Sequence, residues 1–120
     1  SIEQIAGTWN GEENIDKIVL LKSGRGFIIY KNGASMSVSV SIEQDKITVA
    51  QNTKSNASFF PELPREIALL SATKEVTIYW EFIFSNSNIL TGTKHTLVPV
   101  TLDDNTFTTE PGTVQVIWTR

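Results

Sequence analysis

The chain has 120 residues, with 10 basic and 13 acidic side chains and a formal net charge of −3. This length is typical of one domain with a single hydrophobic core, so we expect residues 1–120 to form one domain. The chain has no cysteine, which excludes disulfide bonds and thiolate metal sites, and it lacks both the basic excess of nucleic-acid-binding proteins and a transmembrane segment.

The first predicted strands lie in the N-terminal quarter of the chain. One strand passes through Trp9, and an apolar strand follows at residues 16–22. Residues 27–31 are predicted as the next strand, with Phe27 and Ile29 directed into the interior.

Residues 34–42 show the most regular pattern in the chain. Four serines alternate there with the apolar residues Ala34, Met36, Val38, Val40 and Ile42. Strict alternation predicts a strand with one buried face and one solvent-facing side, because successive side chains point to opposite faces. The preceding dipeptide Asn32-Gly33 favours a two-residue type I′ turn, and therefore a hairpin with residues 27–31.

The middle of the chain combines a strand, a long connection and a helix. Residues 46–51 are predicted as a strand, and the polar residues 52–64 as a surface connection. Residues 65–72 follow a proline, which suits the start of a short helix, with a strand as the alternative. Within the connection, Phe59 and Phe60 either fold down as a cap on the core or form an exposed contact patch, and burial statistics favour the cap.

The strongest apolar segment is residues 76–84. Its alternation places Val76, Ile78, Trp80, Phe82 and Phe84 on one face. Three aromatic side chains on one face predict a strand that contributes a large part of the core.

The C-terminal third completes the predicted fold. Strands are expected at residues 89–98, 106–109 and 113–120, separated by turns at Asp103-Asp104-Asn105 and Glu110-Pro111-Gly112. Eight or nine strands joined as sequence neighbours predict an all-β, antiparallel up-and-down β-barrel with one or two short helical turns, because closure removes exposed edges.

Both ends of the chain carry a family resemblance. Gly7 and Trp9 form a Gly-x-Trp motif at the first strand, and Arg120 ends the last one. This arrangement resembles the calycin superfamily, which includes the lipocalins, and is similar to small bacterial lipocalin-like lipoproteins. The resemblance implies that Trp9 closes the barrel floor with Arg120 lying across it, a cation–π contact. It also implies an extracytoplasmic location, although no signal peptide is visible.

Candidate catalytic groups are few. His95 is the only histidine, and no spacing identifies a carboxylate to orient it. Two acidic clusters, one with Glu12, Glu13 and Asp16 and one at residues 103–105, lack a calcium-loop template, and turn chemistry explains both. We therefore expect no enzymatic activity, no bound metal and no cofactor.

The resemblance implies non-enzymatic binding of a small apolar or amphipathic ligand inside the barrel. The residues expected to line the site and its mouth are Met36, Val38, Val40, Phe59, Phe60, Trp80, Phe82 and Phe84. A barrel of about eight strands is wide enough either to hold one small ligand or to be filled by side chains. The alternative function is therefore a surface or periplasmic protein-interaction module with a filled barrel.

Overall fold

A single sheet of eight antiparallel strands dominates the computed structural model, which describes all 120 residues. Each strand pairs with its sequence neighbours, as predicted, and the sheet curls strongly into an open half-barrel. The strands are β1 (Gly7–Trp9), β2 (Ile15–Leu20), β3 (Arg25–Tyr30), β4 (Ser35–Glu43), β5 (Lys46–Gln51), β6 (Tyr79–Asn86), β7 (Ile89–Thr101) and β8 (Phe107–Thr119).

One α-helix, α1 (Arg65–Ala72), lies between β5 and β6 in the chain and contacts β8, where Ser71 Oγ is 2.9 Å from Thr109 Oγ1. It occupies the residues for which a helix was predicted, and the strand alternative is wrong. Two short 3-10 turns, Ile2–Gln4 and Ala57–Phe59, complete the secondary structure. None of these helices has the length and apolar character that crossing a membrane requires.

The predicted closure of the barrel is not observed, because β1 and β8 remain the two edges of the sheet. The only backbone hydrogen bonds between these edges are those that Asn10 and Thr119 exchange, at N···O distances of 2.9 and 2.7 Å. The reason is strand length: β1 has 3 residues and β8 has 13, so most of β8 has no strand to pair with on its outer side. We call the gap between these two edges the seam.

The expected turn at residues 110–112 is also wrong, since β8 runs through it without a break opposite β7. Thr119 bonds across the seam, and backbone groups of a strand alternate between its two sides, so Pro111 also faces the seam. A proline there loses no hydrogen bond to β7. At Gly112 a Cβ atom would overlap the side chain of Val98, so close packing accounts for the glycine. One long strand replaces the predicted two.

The interior of the half-barrel is a packed core of 23 buried apolar residues. The alternation predicted for β4 is confirmed, with Met36, Val38 and Val40 buried. The alternation predicted for residues 76–84 is confirmed as well, although β6 begins only at Tyr79. The three tryptophans, Trp9, Trp80 and Trp118, are completely buried.

The inward face of β3 differs from the prediction. Ile28 and Tyr30 are buried, whereas Phe27 is 41% exposed. Pairing explains the difference, because Ile28 lies directly opposite the inward-facing Met36 of β4. Residues 27–30 are all apolar or aromatic, so their own pattern does not identify the inward side, and the register with β4 decides it.

The hairpin between β3 and β4 is where it was predicted, but its turn is one residue longer. Tyr30 N–H donates to the Ala34 carbonyl at 2.8 Å, and Gly33 N–H donates to the Tyr30 carbonyl at 3.0 Å. Gly33 has a φ of +91°, whereas Asn32 does not have the positive φ that a type I′ turn requires. The Asn32 side chain instead accepts from Ala34 N–H, which favours the longer loop.

Candidate functional site

The residues predicted to line a ligand site pack together in the core. Seven of the eight are buried, and Phe84 is partly buried against the same cluster. The main clefts of the molecule are lined by other residues, apart from Phe82 and Phe84 at the margins of two of them. The structure brings these eight side chains together, and a role in ligand binding stays a prediction.

Phe59 and Phe60 cover the core as a cap, which confirms the interpretation that burial statistics favoured. Both are buried, and the Phe59 ring stacks on Tyr30 with centroids 5.6 Å apart. The 3-10 turn that positions them is capped by Asn56, whose side chain accepts from Ser58 N–H at 2.9 Å. The cap therefore holds the Tyr30 ring in place.

The two chain ends meet at one end of the half-barrel. The Trp9 indole donates to the Ile5 carbonyl at 2.9 Å, and the Arg120 guanidinium carbon lies 4.3 Å from the centroid of the indole ring. Gly7 has a φ of +138°, and a Cβ atom there would lie 3.2 Å from Arg120 Nη1. The guanidinium also donates to the carbonyl oxygens of Gln4, Ala6 and Ser87. The contact implied by the resemblance is thus part of a larger clasp.

A buried charge cluster forms around Glu12. Its Oε2 accepts hydrogen bonds from the indole nitrogens of Trp80 and Trp118, both at 2.9 Å, and its Oε1 pairs with Lys94 Nζ at 3.1 Å. The Glu12 and Lys94 side chains are only 12% and 13% exposed. Lys94 Nζ also lies 5.2 Å from the centroid of the Trp80 ring. Burial of these charges is balanced by three donors to one carboxylate.

Sequence reasoning assigned Glu12 to an acidic turn and missed this cluster. Its partners lie 68, 82 and 106 residues away along the chain. No local spacing signals such a contact. The one available indication was that two inward-facing tryptophans need acceptors for their indole N–H groups when buried.

A cleft of about 300 Å³ opens at the seam, and we call it the seam cleft. Residues 11–15 form one wall and residues 114–116 of β8 the other, with Tyr30, Glu62 and Lys94 among the remaining lining residues. The carboxylates of Glu13 and Glu62 are exposed and form no ion pair. The cleft therefore contains three carboxylates and one ammonium group.

Tyr30 supplies a second unusual feature of the seam cleft. Only 2% of the residue is exposed, and its buried hydroxyl group makes no hydrogen bond. Burial raises the pKa of this phenol, and the negative charges of Glu12 and Glu62 raise it further. A buried hydroxyl without a partner is rare and unfavourable, so it marks a position where a bound group could donate or accept a hydrogen bond.

His95 lies on the outer face of the sheet, beside a carboxylate. His95 Nε2 is 2.7 Å from Glu81 Oε1, and its ring stacks on Tyr79 with centroids 4.2 Å apart. Glu81 also pairs with Lys46. The hydrogen bond from Lys46 lowers the pKa of Glu81, and the bond from His95 acts in the same direction. His95 is therefore a strand histidine hydrogen-bonded to a carboxylate that the sequence did not identify.

The second acidic cluster forms the predicted turn between β7 and β8. The Asp104 carboxylate accepts from the Thr106 side chain and backbone, and these bonds lower its pKa. No group of three or more His, Cys, Asp or Glu side chains is arranged to hold a metal ion. Turn chemistry therefore accounts for this cluster.

Comparison with known proteins gives one match. A protein-family model, TP_0183_C, described as C-terminal, matches residues 1–120, which is the full length of the chain. Neither the curated proteins nor the solved structures yielded a match.

Proposed function

The chain belongs to the TP_0183_C family of C-terminal domains, and we propose that it is a non-enzymatic protein-interaction module with a filled half-barrel. The partner binds at the seam, where the sheet leaves an edge unpaired and the seam cleft opens.

The observation that carries this proposal is the filling of the interior. Trp118 packs against Phe82 and Trp80, with ring centroids 4.5 and 5.6 Å away, and all three side chains are at most 1% exposed. Aromatic groups at these distances leave no room for a ligand between them. Binding at the surface is then the simplest use of the domain.

The seam supports the proposal because it combines three features of binding sites. It has an unpaired strand edge, which can pair with a partner backbone. It has exposed apolar side chains, Val114 and Ile117, on β8. Beside them lies the seam cleft, with its unpaired carboxylates.

Photo-crosslinking in cells that make the protein tests the proposal. A benzoylphenylalanine is placed at Gln115, which is exposed at the seam. The control position is Thr91, which is also exposed but lies in β7, a strand paired on both sides with β6 and β8. We expect a protein adduct from position 115 and none from position 91. Absence of an adduct at 115, or equal labelling at both positions, would contradict binding at the seam.

A calycin-like function is a second candidate, and the Arg120–Trp9 contact favours it. Under this reading a small apolar or amphipathic ligand enters among the eight core residues named above, after the cap carrying Phe59 and Phe60 moves. Native mass spectrometry of protein from its own source tests it. A bound non-protein mass would support this candidate, and its absence would leave the interaction module.

A further inference from the structure

The outer edge of β8 has free backbone groups over a defined length. Thr119 pairs with Asn10 at one end, and the Thr109 carbonyl accepts from Lys74 Nζ at the other. The alternation of a strand places Pro111, Thr113, Gln115 and Ile117 at the intervening positions that face the seam, and Gly11 lies close against Ile117. Their outward backbone groups bond to nothing in the chain. From Pro111 to Gln115 is about 14 Å, enough to pair with a segment of roughly five residues.

Pro111 faces the seam at one end of this edge, but the residues after it lack the usual protection against strand pairing. Natural edge strands carry charges, bulges or prolines that prevent another strand from adding. No charged residue occurs between Pro111 and Thr119, and the pairing with β7 has no bulge. Five of the seven residues from 113 to 119 are threonine, valine or isoleucine, which favour strands. The composition of this edge therefore permits another strand to pair with it.

The surroundings of the edge favour one extended segment over a second folded sheet. Residues 11–15 face β8 across the seam cleft, and Pro61 and Glu62 also line it. Gly11 approaches so closely that a Cβ atom there would overlap the Ile117 carbonyl oxygen. A second copy of this domain would bring its own β7 and loops into that space, whereas a single strand needs only the 4.7–4.9 Å between strands, a typical value.

The charge of the cleft indicates the side chain that the segment carries. Glu13 and Glu62 have no cationic partner, and Glu12 shares its carboxylate with Lys94. The unpaired Tyr30 hydroxyl is an independent sign of a ligand position, since it is buried and lies among the residues that line the same cleft. A lysine or arginine entering the cleft would give both carboxylates a counterion and donate to the hydroxyl oxygen.

We infer that the partner is an extended, basic polypeptide segment that adds a strand to the β8 edge at Thr113–Gln115 and places a lysine or arginine side chain in the seam cleft. This inference rests on the proposed function, because it names the partner class for the same seam. Backbone pairing supplies affinity in such complexes, and the side-chain pocket supplies specificity.

Selection from a displayed library of random nonapeptides against the whole domain tests the inference. We expect enriched peptides to contain lysine or arginine flanked by β-branched residues. Synthetic versions should bind with amide chemical-shift changes at Thr113 and Gln115, and glutamate in place of the basic residue should abolish binding. Enrichment of peptides without a basic residue, or shifts confined to another face, would overturn the inference.

Three variants of the domain separate edge pairing from charge. Gln115→Pro removes an outward N–H without touching the bonds to β7, as native Pro111 does, and should weaken peptide binding by about tenfold or more. Gln115→Thr keeps the backbone donor and should bind as the unchanged domain does. Glu13→Gln combined with Glu62→Gln should weaken binding and reduce its salt dependence. Peptide binding that survives Gln115→Pro would overturn strand addition.

The remaining outcomes distinguish this inference from the proposed function. If no peptide is enriched while position 115 still crosslinks to a protein, the extended-segment inference fails and the interaction module stands. If position 115 crosslinks to nothing, the proposed function fails as well. Sedimentation analysis tests for a dimer. If the domain forms a dimer and Gln115→Pro abolishes it, a second copy of the chain occupies the β8 edge and the inference is overturned.

Discussion

The guanidinium of Arg120 lies over the indole of Trp9, 4.3 Å from the ring centroid, and ties together both ends of the chain. The same group donates hydrogen bonds of 2.7–2.8 Å to three carbonyl oxygens, two near the N-terminus and one in the turn between β6 and β7. An open sheet has no continuous ladder to hold its first and last strands together. Here the Arg120 clasp and the Asn10–Thr119 pair do so at one end of the seam.

The first prediction concerns this clasp. Trp9→Ala should lower the free energy of unfolding by about 3–5 kcal/mol, the range for removing a buried aromatic side chain. Arg120→Ala should lower it by about 1–3 kcal/mol, because hydrogen bonds of a charged group are lost along with the cation–π contact. Contact between the residues predicts a coupling of roughly 0.5–3 kcal/mol in a double-mutant cycle. Urea denaturation measures the free energy of unfolding of both single variants and of the double variant. If the two single losses simply add in the double variant, the coupling is contradicted.

The second prediction concerns the loop between β3 and β4. Gly33 has a φ of +91°, and a Cβ atom there would meet nothing within 4 Å. Gly33→Val should therefore destabilise the domain by roughly 1–3 kcal/mol through backbone strain alone. Gly33→Asn is the control. Asparagine tolerates a positive φ, so this variant should lose clearly less stability than Gly33→Val. Equal losses for both substitutions in chemical denaturation would mean that strain is not the cause.

The third prediction concerns the unpaired Tyr30 hydroxyl. Tyr30→Phe should raise the free energy of unfolding at neutral pH by about 1–3 kcal/mol, since it removes a buried polar group without a partner. The same substitution should weaken binding of a basic peptide in the seam cleft. A variant that is more stable but binds less well would separate folding from function. Loss of stability would indicate that the hydroxyl has a favourable partner.

The pH dependence of stability tests Tyr30 independently. The folded state raises the pKa of this phenol above its ordinary value of 10.0, so the folded state holds the proton more tightly than the unfolded chain. The stability that the protonated Tyr30 phenol gives the folded state is therefore fully present below pH 10, and it is lost as the pH rises above 10. Between pH 8 and about 11, the melting temperature should fall less in Tyr30→Phe than in the unchanged protein. Tyr79→Phe, which retains Tyr30, serves as the control.

The fourth prediction concerns Glu12. Glu12→Ala should lower the free energy of unfolding by about 3–5 kcal/mol, because it leaves the buried Lys94 ammonium without its counterion. Adding Lys94→Met should recover part of that loss, so the double variant should be more stable than the sum of the single changes predicts. Glu13→Gln, at the exposed neighbour, should change stability by less than about 0.5 kcal/mol. Tryptophan fluorescence follows unfolding in each variant.

Local periodicity predicted most of the sheet. The alternating residues of β4 and β6 showed their buried faces without reference to any other strand, because side chains alternate within the strand itself. The helix was predicted over the residues that form it, since a proline favours a helix start, and Pro64 is the N-cap. These features depend on a few consecutive residues.

Where neighbouring residues are alike, local pattern was not sufficient. The inward side of β3 was assigned one residue out of register, because Phe27 to Tyr30 carry no alternation. Pro111 and Gly112 have the composition of a turn but lie in a strand, one facing the seam and the other packed against Val98. Both outcomes depend on what the neighbouring strand places opposite.

By itself the sequence determined an antiparallel sheet of neighbouring strands, its main buried faces and the short helix, because these follow from backbone periodicity and turn chemistry. Only the tertiary structure decided that the sheet stays open, that Glu12 turns inward to Lys94 and two indoles, and that Tyr30 and the β8 edge meet at one cleft. Those contacts join residues far apart in the chain. Strand register and curvature bring them together, and no local pattern encodes either.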